Sequence, residues 1–217
     1  MSVAVLVLSC DKYAPYWPGW HHFWAKHWKA DVPVYFATEA RQVPEWPGVK
    51  PIYVGRDMTW SGCLFMALSQ IPHDTIFFSL EDYWPTQDMG QDLFDELHAE
   101  FNSRDLLCLR CSHKSSFSLL ESDGIFRPES KFLVSCQTSF WNKNYMLWVL
   151  DTNEDAWQFE CQGTVRVRDA NLAHHVAFHP LPWYAHVCVR GKFVKEHRCL
   201  MKDTTLSVPS SLTCSLK

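Results

Sequence analysis

The chain has 217 residues, of which 47% are hydrophobic and 20% charged, and its formal net charge is −4. A chain of this length and composition can bury a hydrophobic core of its own, which excludes a wholly disordered or fibrous protein. The slightly negative net charge excludes a global basic field that would recruit nucleic acid or anionic membranes, although local basic patches are still allowed.

Strands and helices alternate in the predictions for the first half of the chain. Continuous apolar runs predict strands at residues 3–9, 33–38, 49–54, 75–80 and 106–110. The residue patterns predict helices at 20–29, from a cap at Thr59 or Ser61 to Gln70, and at 88–102. Strands that alternate with helices predict an α/β domain with a mostly parallel sheet flanked by helices.

The second half of the chain is less regular. A hairpin or loop is predicted at 115–135, a helix at 142–150, a short helix or turn at 156–161 and a strand at 183–189. Residues 203–217 are rich in Ser and Thr and are predicted to form a loose polar tail. We therefore expect a single catalytic domain at 1–202, with a less regular second half, followed by the tail.

Cysteine usage and the amino-terminal sequence bear on location. The nine cysteines are odd in number and scattered, which argues against a disulfide scaffold and for a reducing compartment. The first apolar run is too short for a signal peptide, and no stretch approaches the ~20 apolar residues of a membrane span. We expect a soluble protein of the cytoplasm, or of the host cytoplasm if a phage encodes it, with no membrane span.

Aromatic residues are unusually abundant, with 11 Trp, 14 Phe and 7 Tyr. Many are expected in the core, because aromatic side chains bury large areas. The alternative is a surface that stacks on sugar rings or bases.

Two acidic motifs follow predicted strands. Asp11, with Tyr13 close behind it, comes after the first strand, and Glu81-Asp82 comes after the fourth. Because ligands of open α/β sheets bind at the carboxyl ends of the strands, the two motifs can face one cleft. The alternative is that Asp11 and Glu81 only cap the elements that follow them.

An ordered set of short motifs resembles the nucleotide-sugar glycosyltransferases of the GT-A type, in particular a group of small bacterial and phage enzymes. The motifs are VLVLSCDKY near the start, D-x-x-W-S from Asp57, and TIFFSLEDYW around Glu81. QTSFWNK, WQFE and RGK follow in the second half. The resemblance covers roughly residues 3–195 and implies a GT-A-like, Rossmann-like fold with a nucleotide-sugar donor as a partner.

The resemblance implies roles for individual residues. It makes Glu160 the catalytic base, with nearby Asp155 as the alternative, and Asp82 a catalytic residue and metal ligand. On the acceptor side it places the aromatic side chains Trp157 and Trp141. On the donor side it places Asp11, Tyr13, Trp60, Ser61, Glu81, Arg190 and Lys192.

The sequence leaves open whether a metal ion stabilises the diphosphate. Mn²⁺ or Mg²⁺ would suit a carboxylate and a diphosphate. A full Asp-x-Asp motif is missing, however, because residue 83 is Tyr and residue 80 is Leu. Arg190, Lys192 and Arg198 are the candidates to stabilise the diphosphate if no metal is used.

The expected function is transfer of a sugar to a hydroxyl acceptor with inversion. The acceptor is a glycan or, in a phage, a hydroxymethylated DNA base, because the basic stretch at 190–202 suits either a nucleic-acid backbone or a diphosphate. A nucleotidyltransferase is the rival enzyme, but it would want a glycine-rich basic loop after the first strand. The non-enzymatic alternative is a carbohydrate- or nucleic-acid-binding protein with a degenerate transferase fold.

Overall fold

The computed structural model describes residues 2–112 and 120–202, so the predicted tail and part of the predicted hairpin lie outside the described residues. In chain order the strands are β1 (Val3–Leu8), β2 (Val34–Thr38), β3 (Val49–Tyr53), β4 (Thr75–Leu80), β5 (Tyr83–Pro85), β6 (Cys108–Ser112), β7 (Ser139–Asn142), β8 (Val176–Pro180), β9 (Tyr184–His186), β10 (Cys188–Val189) and β11 (Lys192–Phe193). The α-helices are α1 (Trp17–His27), α2 (Trp60–Gln70), α3 (Gln91–Ser103), α4 (Lys143–Val149) and α5 (Ala156–Asp169).

Seven strands form one mixed sheet in the order β3-β2-β1-β4-β7-β6-β8. Strand β7 is antiparallel to both of its neighbours, and all other neighbouring pairs are parallel. The carboxyl ends of β1, β2, β4 and β6 therefore lie along one edge, which we call the carboxyl edge. The fold class predicted from the sequence is confirmed.

Side-chain alternation along β1 explains why helices cover both faces of the sheet. Val5 and Val7 pack with α1 and α3, whereas Ala4, Leu6 and Leu8 pack with α2, α4 and α5. Successive strand residues point to opposite faces, so an unbroken apolar run is what a strand covered on both sides requires.

Most of the abundant tryptophans lie in these two cores. Trp20, Trp84, Trp141 and Trp183 are all fully buried. Gly19 allows the close approach of α1 to β5, since a Cβ atom there would lie only 2.1 Å from the Trp84 ring. For these side chains the structure supports the core interpretation over a stacking surface.

The second half differs from its prediction in three ways. Helix α5 extends to Asp169, because a capping box between Asp155 and Gln158 begins it and a buried face sustains it. The predicted strand at 183–189 divides into β9 and β10, which pair outside the main sheet with β5 and β11. The sequence did not predict β7 and β8, which are short strands of 4 and 5 residues, nor, in the first half, the 3-residue strand β5.

No helix in the described ranges has both the length and the apolar character that crossing a membrane requires. The eight cysteines that the structure describes are all free.

Candidate active site

Asp82 lies at the carboxyl edge, between the end of β4 and the start of β5, and is 8% exposed. Its Oδ2 atom is 3.1 Å from Nε2 of His186. Its Oδ1 atom is buried and has no hydrogen-bond partner among the residues that the structure describes. Leaving such an atom unpaired costs about 1–3 kcal/mol, so this oxygen marks a place where a ligand would be stabilising.

Pairing between β5 and β9 brings His186 to Asp82. Tyr83 lies opposite His186, and the backbone N–H of Val187 donates to the carbonyl of Asp82 over 2.8 Å. Burial disfavours the imidazolium of His186. The hydrogen bond to Asp82 and the charge of that carboxylate outweigh burial and raise the pKa of His186.

Sequence reasoning missed His186. The available signal was a histidine inside a predicted strand, just before the basic motif at 190–192.

Glu81, next to Asp82 in the chain, lies in the protein interior, at 6% exposed. Burial, together with the charge of Asp82, raises the pKa of Glu81 well above its usual range, and the Ser9 side chain hydrogen-bonds to it. Ser9 in turn accepts a hydrogen bond of 2.7 Å from Nε1 of Trp17. Glu81 therefore braces the end of β1, and this position does not fit its predicted role as a donor contact.

Asp11 also lies at the carboxyl edge, in the 3₁₀ helix that follows β1. Its Oδ1 atom accepts hydrogen bonds from the Thr38 hydroxyl at 2.9 Å and from the backbone N–H groups of Ala40 and Arg41 at 3.1 and 2.8 Å. Burial opposes the charge, but these bonds outweigh it and lower the pKa of Asp11. The carboxylate is thus committed to fixing the β2–β3 connection and does not cap the helix that follows it, while Tyr13 is half-buried beside Tyr16.

Glu160 lies on α5 and is held from the segment that leads into β7. Its Oε1 atom accepts hydrogen bonds from the Ser135 hydroxyl at 2.9 Å and from the backbone N–H of Cys136 at 2.7 Å. The charge of Glu160 contributes to the raised pKa of His186, after the larger effects of burial and Asp82. Glu160 therefore lies within electrostatic reach of the Asp82–His186 pair, although 78 positions separate Asp82 and Glu160 in the sequence.

Trp60 and Ser61 pack α2 onto α5 instead of lining a donor site. The Trp60 ring lies 5.3 Å from that of Phe159, centroid to centroid. Ser61 is fully buried, and its backbone N–H donates to the carbonyl of Glu154 over 3.1 Å. Burial at this helix interface does not fit the predicted donor contact of Ser61, and Trp60 is half-buried there.

The two tryptophans predicted to bind the acceptor have opposite environments. Trp157, in the first turn of α5, is 60% exposed, and its ring packs edge-on against Phe132 with centroids 5.7 Å apart. We call Trp157 and Phe132 the aromatic ledge. Trp141 is fully buried and donates its Nε1–H to the Ser139 hydroxyl over 2.8 Å, so we assign it to the core and correct its predicted role.

Arg190 and Lys192 belong to the β10–β11 hairpin. Arg190 and Gly191 form its turn with φ angles of 52° and 73°, and both cationic side chains are exposed. Phe193 stacks on Tyr16 with ring centroids 6.3 Å apart, which places the hairpin beside the 3₁₀ helix that contains Asp11. Arg198 is exposed in the following 3₁₀ helix, Lys195–Lys202.

The Asp82–His186 pair has a donor set that suits a divalent cation. The Asp82 carboxylate fits Mn²⁺ or Mg²⁺ when the remaining positions are filled by water and phosphate oxygens, and the neutral imidazole of His186 offers a nitrogen that suits Mn²⁺ better than Mg²⁺. Across residues 2–112 and 120–202, no group of three or more His, Cys, Asp or Glu side chains could hold a metal ion by itself. Any metal bound here would therefore need oxygen ligands from a substrate.

Solved structures share this fold at low sequence identity. Residues 1–349 of TarS from S. aureus match with a TM-score of 0.58 and 11% identity, over 85% of this chain and 59% of that one. GlyE from Streptococcus pneumoniae TIGR4 matches with a TM-score of 0.58 and 11% identity, over 95% and 61% of the two chains. CMP:2-keto-3-deoxy-manno-octonic acid synthetase complexed with CTP matches with a TM-score of 0.58 and 11% identity, over 94% and 97%.

These matches establish the fold. The chain has a GT-A-like fold. It spans about three fifths of the TarS fragment. The fold is common to a protein described as a glycosyltransferase, GlyE, and to the synthetase. No protein-family model and no curated protein matches the sequence.

Proposed function

We propose that this protein is a glycosyltransferase that uses a nucleotide-sugar donor. The observation that carries the proposal is the buried Oδ1 atom of Asp82, which has no hydrogen-bond partner in the described part of the chain and lies beside His186 and within electrostatic reach of Glu160. The arrangement offers a place for a leaving diphosphate and a carboxylate that can take up a proton, which are the two groups that glycosyl transfer needs.

On the donor side, Asp82 and His186 would hold a divalent cation. When bound, such a cation supplies positive charge that stabilises the diphosphate as it leaves. The exposed cations Arg190 and Lys192, in the hairpin that follows the strand of His186, would add positive charge for the diphosphate. TarS structures with the same fold contain UDP-GlcNAc or UDP, which supports a nucleotide-sugar donor for this chain.

On the acceptor side, Glu160 is the general base. It removes the proton from the acceptor hydroxyl as that oxygen forms a bond to the anomeric carbon. The bond from the anomeric carbon to the diphosphate oxygen breaks, and its electron pair leaves with the diphosphate. Attack and departure on opposite faces of the sugar invert the anomeric centre, so the base and the diphosphate site belong on opposite sides of the ring.

The acceptor we favour is a glycan hydroxyl. Trp157 is an exposed aromatic side chain one helical turn before Glu160, and a sugar ring can pack against its face. The exposed cations of the 190–202 segment leave a hydroxymethylated base of phage DNA as the second candidate acceptor.

Two rival functions make different predictions. A nucleotidyltransferase, as the synthetase neighbour suggests, would consume a nucleoside triphosphate. The loop after β1 is a 3₁₀ helix, Asp11–Tyr16, that has no glycine and only Lys12 as a basic residue, which gives little support to triphosphate binding. A binding module would bind sugars without turnover.

The decisive experiment incubates the protein with a panel of nucleotide sugars, with and without Mn²⁺, and measures release of the nucleoside diphosphate. We expect turnover with at least one donor, increased by a glycan acceptor. Pyrophosphate release from a triphosphate would favour the nucleotidyltransferase. Sugar binding with neither reaction would favour the binding module.

A further inference from the structure

Arg110 is a buried cation in the middle of a sheet strand, and the proposed mechanism does not use it. It lies on β6 and is 4% exposed, with its guanidinium carbon 4.6 Å from the centroid of the Phe126 ring. Among the described residues, the arginine–carboxylate ion pairs involve Arg104, Arg127 and Arg166 but not Arg110. Burial of a charge costs several kcal/mol unless hydrogen bonds compensate, so the hydrogen bonds of Arg110 must offset this cost.

The Arg110 side chain reaches backbone carbonyls ahead of β7. Its Nη2 atom donates to the carbonyl of Phe132 over 2.9 Å, with a longer contact of 3.5 Å to the carbonyl of Leu133. We call residues 132–136 the bracing segment. A guanidinium suits this task because it keeps its charge and presents its donors in a rigid planar array.

The middle of the bracing segment is attached to α5. The backbone N–H groups of Leu133 and Val134 both donate to Oγ1 of Thr164, each over 3.1 Å. The Thr164 hydroxyl donates in turn to the carbonyl of Glu160 over 2.6 Å. The segment is therefore held from two sides, by a strand and by a helix.

The end of the bracing segment holds the proposed base. Ser135 and Cys136 supply the two hydrogen bonds to Oε1 of Glu160. The same segment begins with Phe132, which belongs to the aromatic ledge. A displacement of the segment would therefore move the proposed base and the proposed acceptor platform together.

We propose that Arg110 is a positioning residue, whose buried guanidinium holds the bracing segment and through it fixes the carboxylate of Glu160. The inference rests on the proposed function insofar as Glu160 is the base. It adds a residue that contacts neither donor nor acceptor and still controls turnover. A general base needs this support because small errors in its geometry are costly to rate.

The test compares Arg110→Lys, Glu160→Gln and the double variant. Arg168→Lys is the matched control, since Arg168 donates to the carbonyls of Pro128 and Ser130, just ahead of the bracing segment. We expect Arg110→Lys to lower kcat about 10-fold or more with donor Kd unchanged, whereas Arg168→Lys stays within about 2-fold. In the Glu160→Gln background, Arg110→Lys should cause little further loss. Equal fold losses in both backgrounds would overturn the proposal, because they are the mark of a general structural effect.

Hydrogen exchange provides a readout that does not depend on activity. The amides of Leu133, Val134 and Cys136 should exchange ~10-fold faster in Arg110→Lys than in the wild type or the Arg168→Lys control. Unchanged exchange would refute the bracing role whatever the enzyme assay shows. If Arg110→Lys does not fold, Thr164→Val removes the other attachment and is measured in the same way. Normal turnover of Glu160→Gln would instead refute the proposed base, and the exchange result would still decide whether Arg110 braces the segment.

Discussion

The Asp82 carboxylate and the His186 imidazole lie 3.1 Å apart although 104 positions separate them in the sequence. The pair forms because β5 and β9 are antiparallel, with Tyr83 opposite His186. Within residues 2–112 and 120–202, the buried Oδ1 atom of Asp82 has no hydrogen-bond partner. Substitutions at the two residues should therefore affect donor chemistry in related ways.

Asp82→Asn should lower turnover at least ~100-fold, because the charge that holds a metal ion or orients the diphosphate site is lost. The measurement is donor hydrolysis or transfer at saturating nucleotide sugar. Asp88→Asn is a matched control, since Asp88 also pairs with a histidine, His27, at 2.8 Å but lies exposed away from the site. Similar losses in both variants would argue against a specific role for Asp82.

His186→Ala should raise the Mn²⁺ concentration needed for half-maximal activity by ~10-fold or more, since one of two protein ligands is removed. The measurement is a metal titration of turnover at fixed donor concentration. If the Mn²⁺ dependence is unchanged in His186→Ala, or if the enzyme is fully active with a chelator, a metal ion held by His186 is contradicted. The hairpin cations would then stabilise the diphosphate.

Glu160→Gln should leave donor binding within a few-fold and lower kcat by ~10²–10⁴, the usual contribution of general base catalysis. The amide oxygen can still accept hydrogen bonds from Ser135 and Cys136, so the local structure should persist. Glu96→Gln, an exposed position on α3, is the control. Wild-type turnover of Glu160→Gln would contradict its role as the base. Asp155, the N-cap of α5, would then be the next residue to test.

Trp157→Ala should raise the KM for a glycan acceptor by ~5-fold or more, because an aromatic contact contributes about 1 kcal/mol or more to packing against a ring. Donor Kd should not change. Trp148→Ala is the control, because Trp148 is also exposed, at 49%, but lies on α4. Equal effects of the two substitutions would exclude a specific acceptor contact at the aromatic ledge.

Asp11→Ala should destabilise the fold in a pH-dependent way. The pKa of Asp11 is lowered in the folded state, so its contribution is present above the unfolded pKa of about 3.9 and is lost as pH falls through the lower folded value. Melting temperatures of the wild type and the variant should therefore differ at neutral pH and converge at the most acidic pH values. A difference that is constant from neutral to acidic pH would contradict this account.

The sequence predicts those elements whose residue pattern is visible within the element itself. The strands β1, β2 and β4 and the helix α2 follow from unbroken apolar runs and from the cap at Thr59, which accepts a hydrogen bond from the N–H of Gly62. Strand β7 is short and antiparallel. The spacing of its apolar residues does not distinguish a strand from the start of helix α4. Its place between β4 and β6 depends on contacts between segments that are remote in the sequence, which no local pattern shows.

The candidate site also combines residues with a local sequence signal and residues that only remote contacts bring together. Asp82 could be proposed as a site residue from the sequence because it follows a strongly predicted strand. The sequence could not show that His186 meets it, since pairing between β5 and β9 joins remote segments. The roles predicted for Ser61 and Trp141 do not fit the structure, because motif position says nothing about burial, and both side chains are fully buried.

The position of β7 has a consequence for synthesis on the ribosome. Strand β4 pairs with β1 on one side, and its other edge pairs with Ser139–Asn142, which is translated much later. The apolar edge made by Ile76, Phe77 and Phe78 therefore stays open while all the residues between the two strands are translated. Open strand edges invite pairing with other chains, and such non-local contacts form slowly. Nascent chains of this protein should therefore depend on chaperones during that interval.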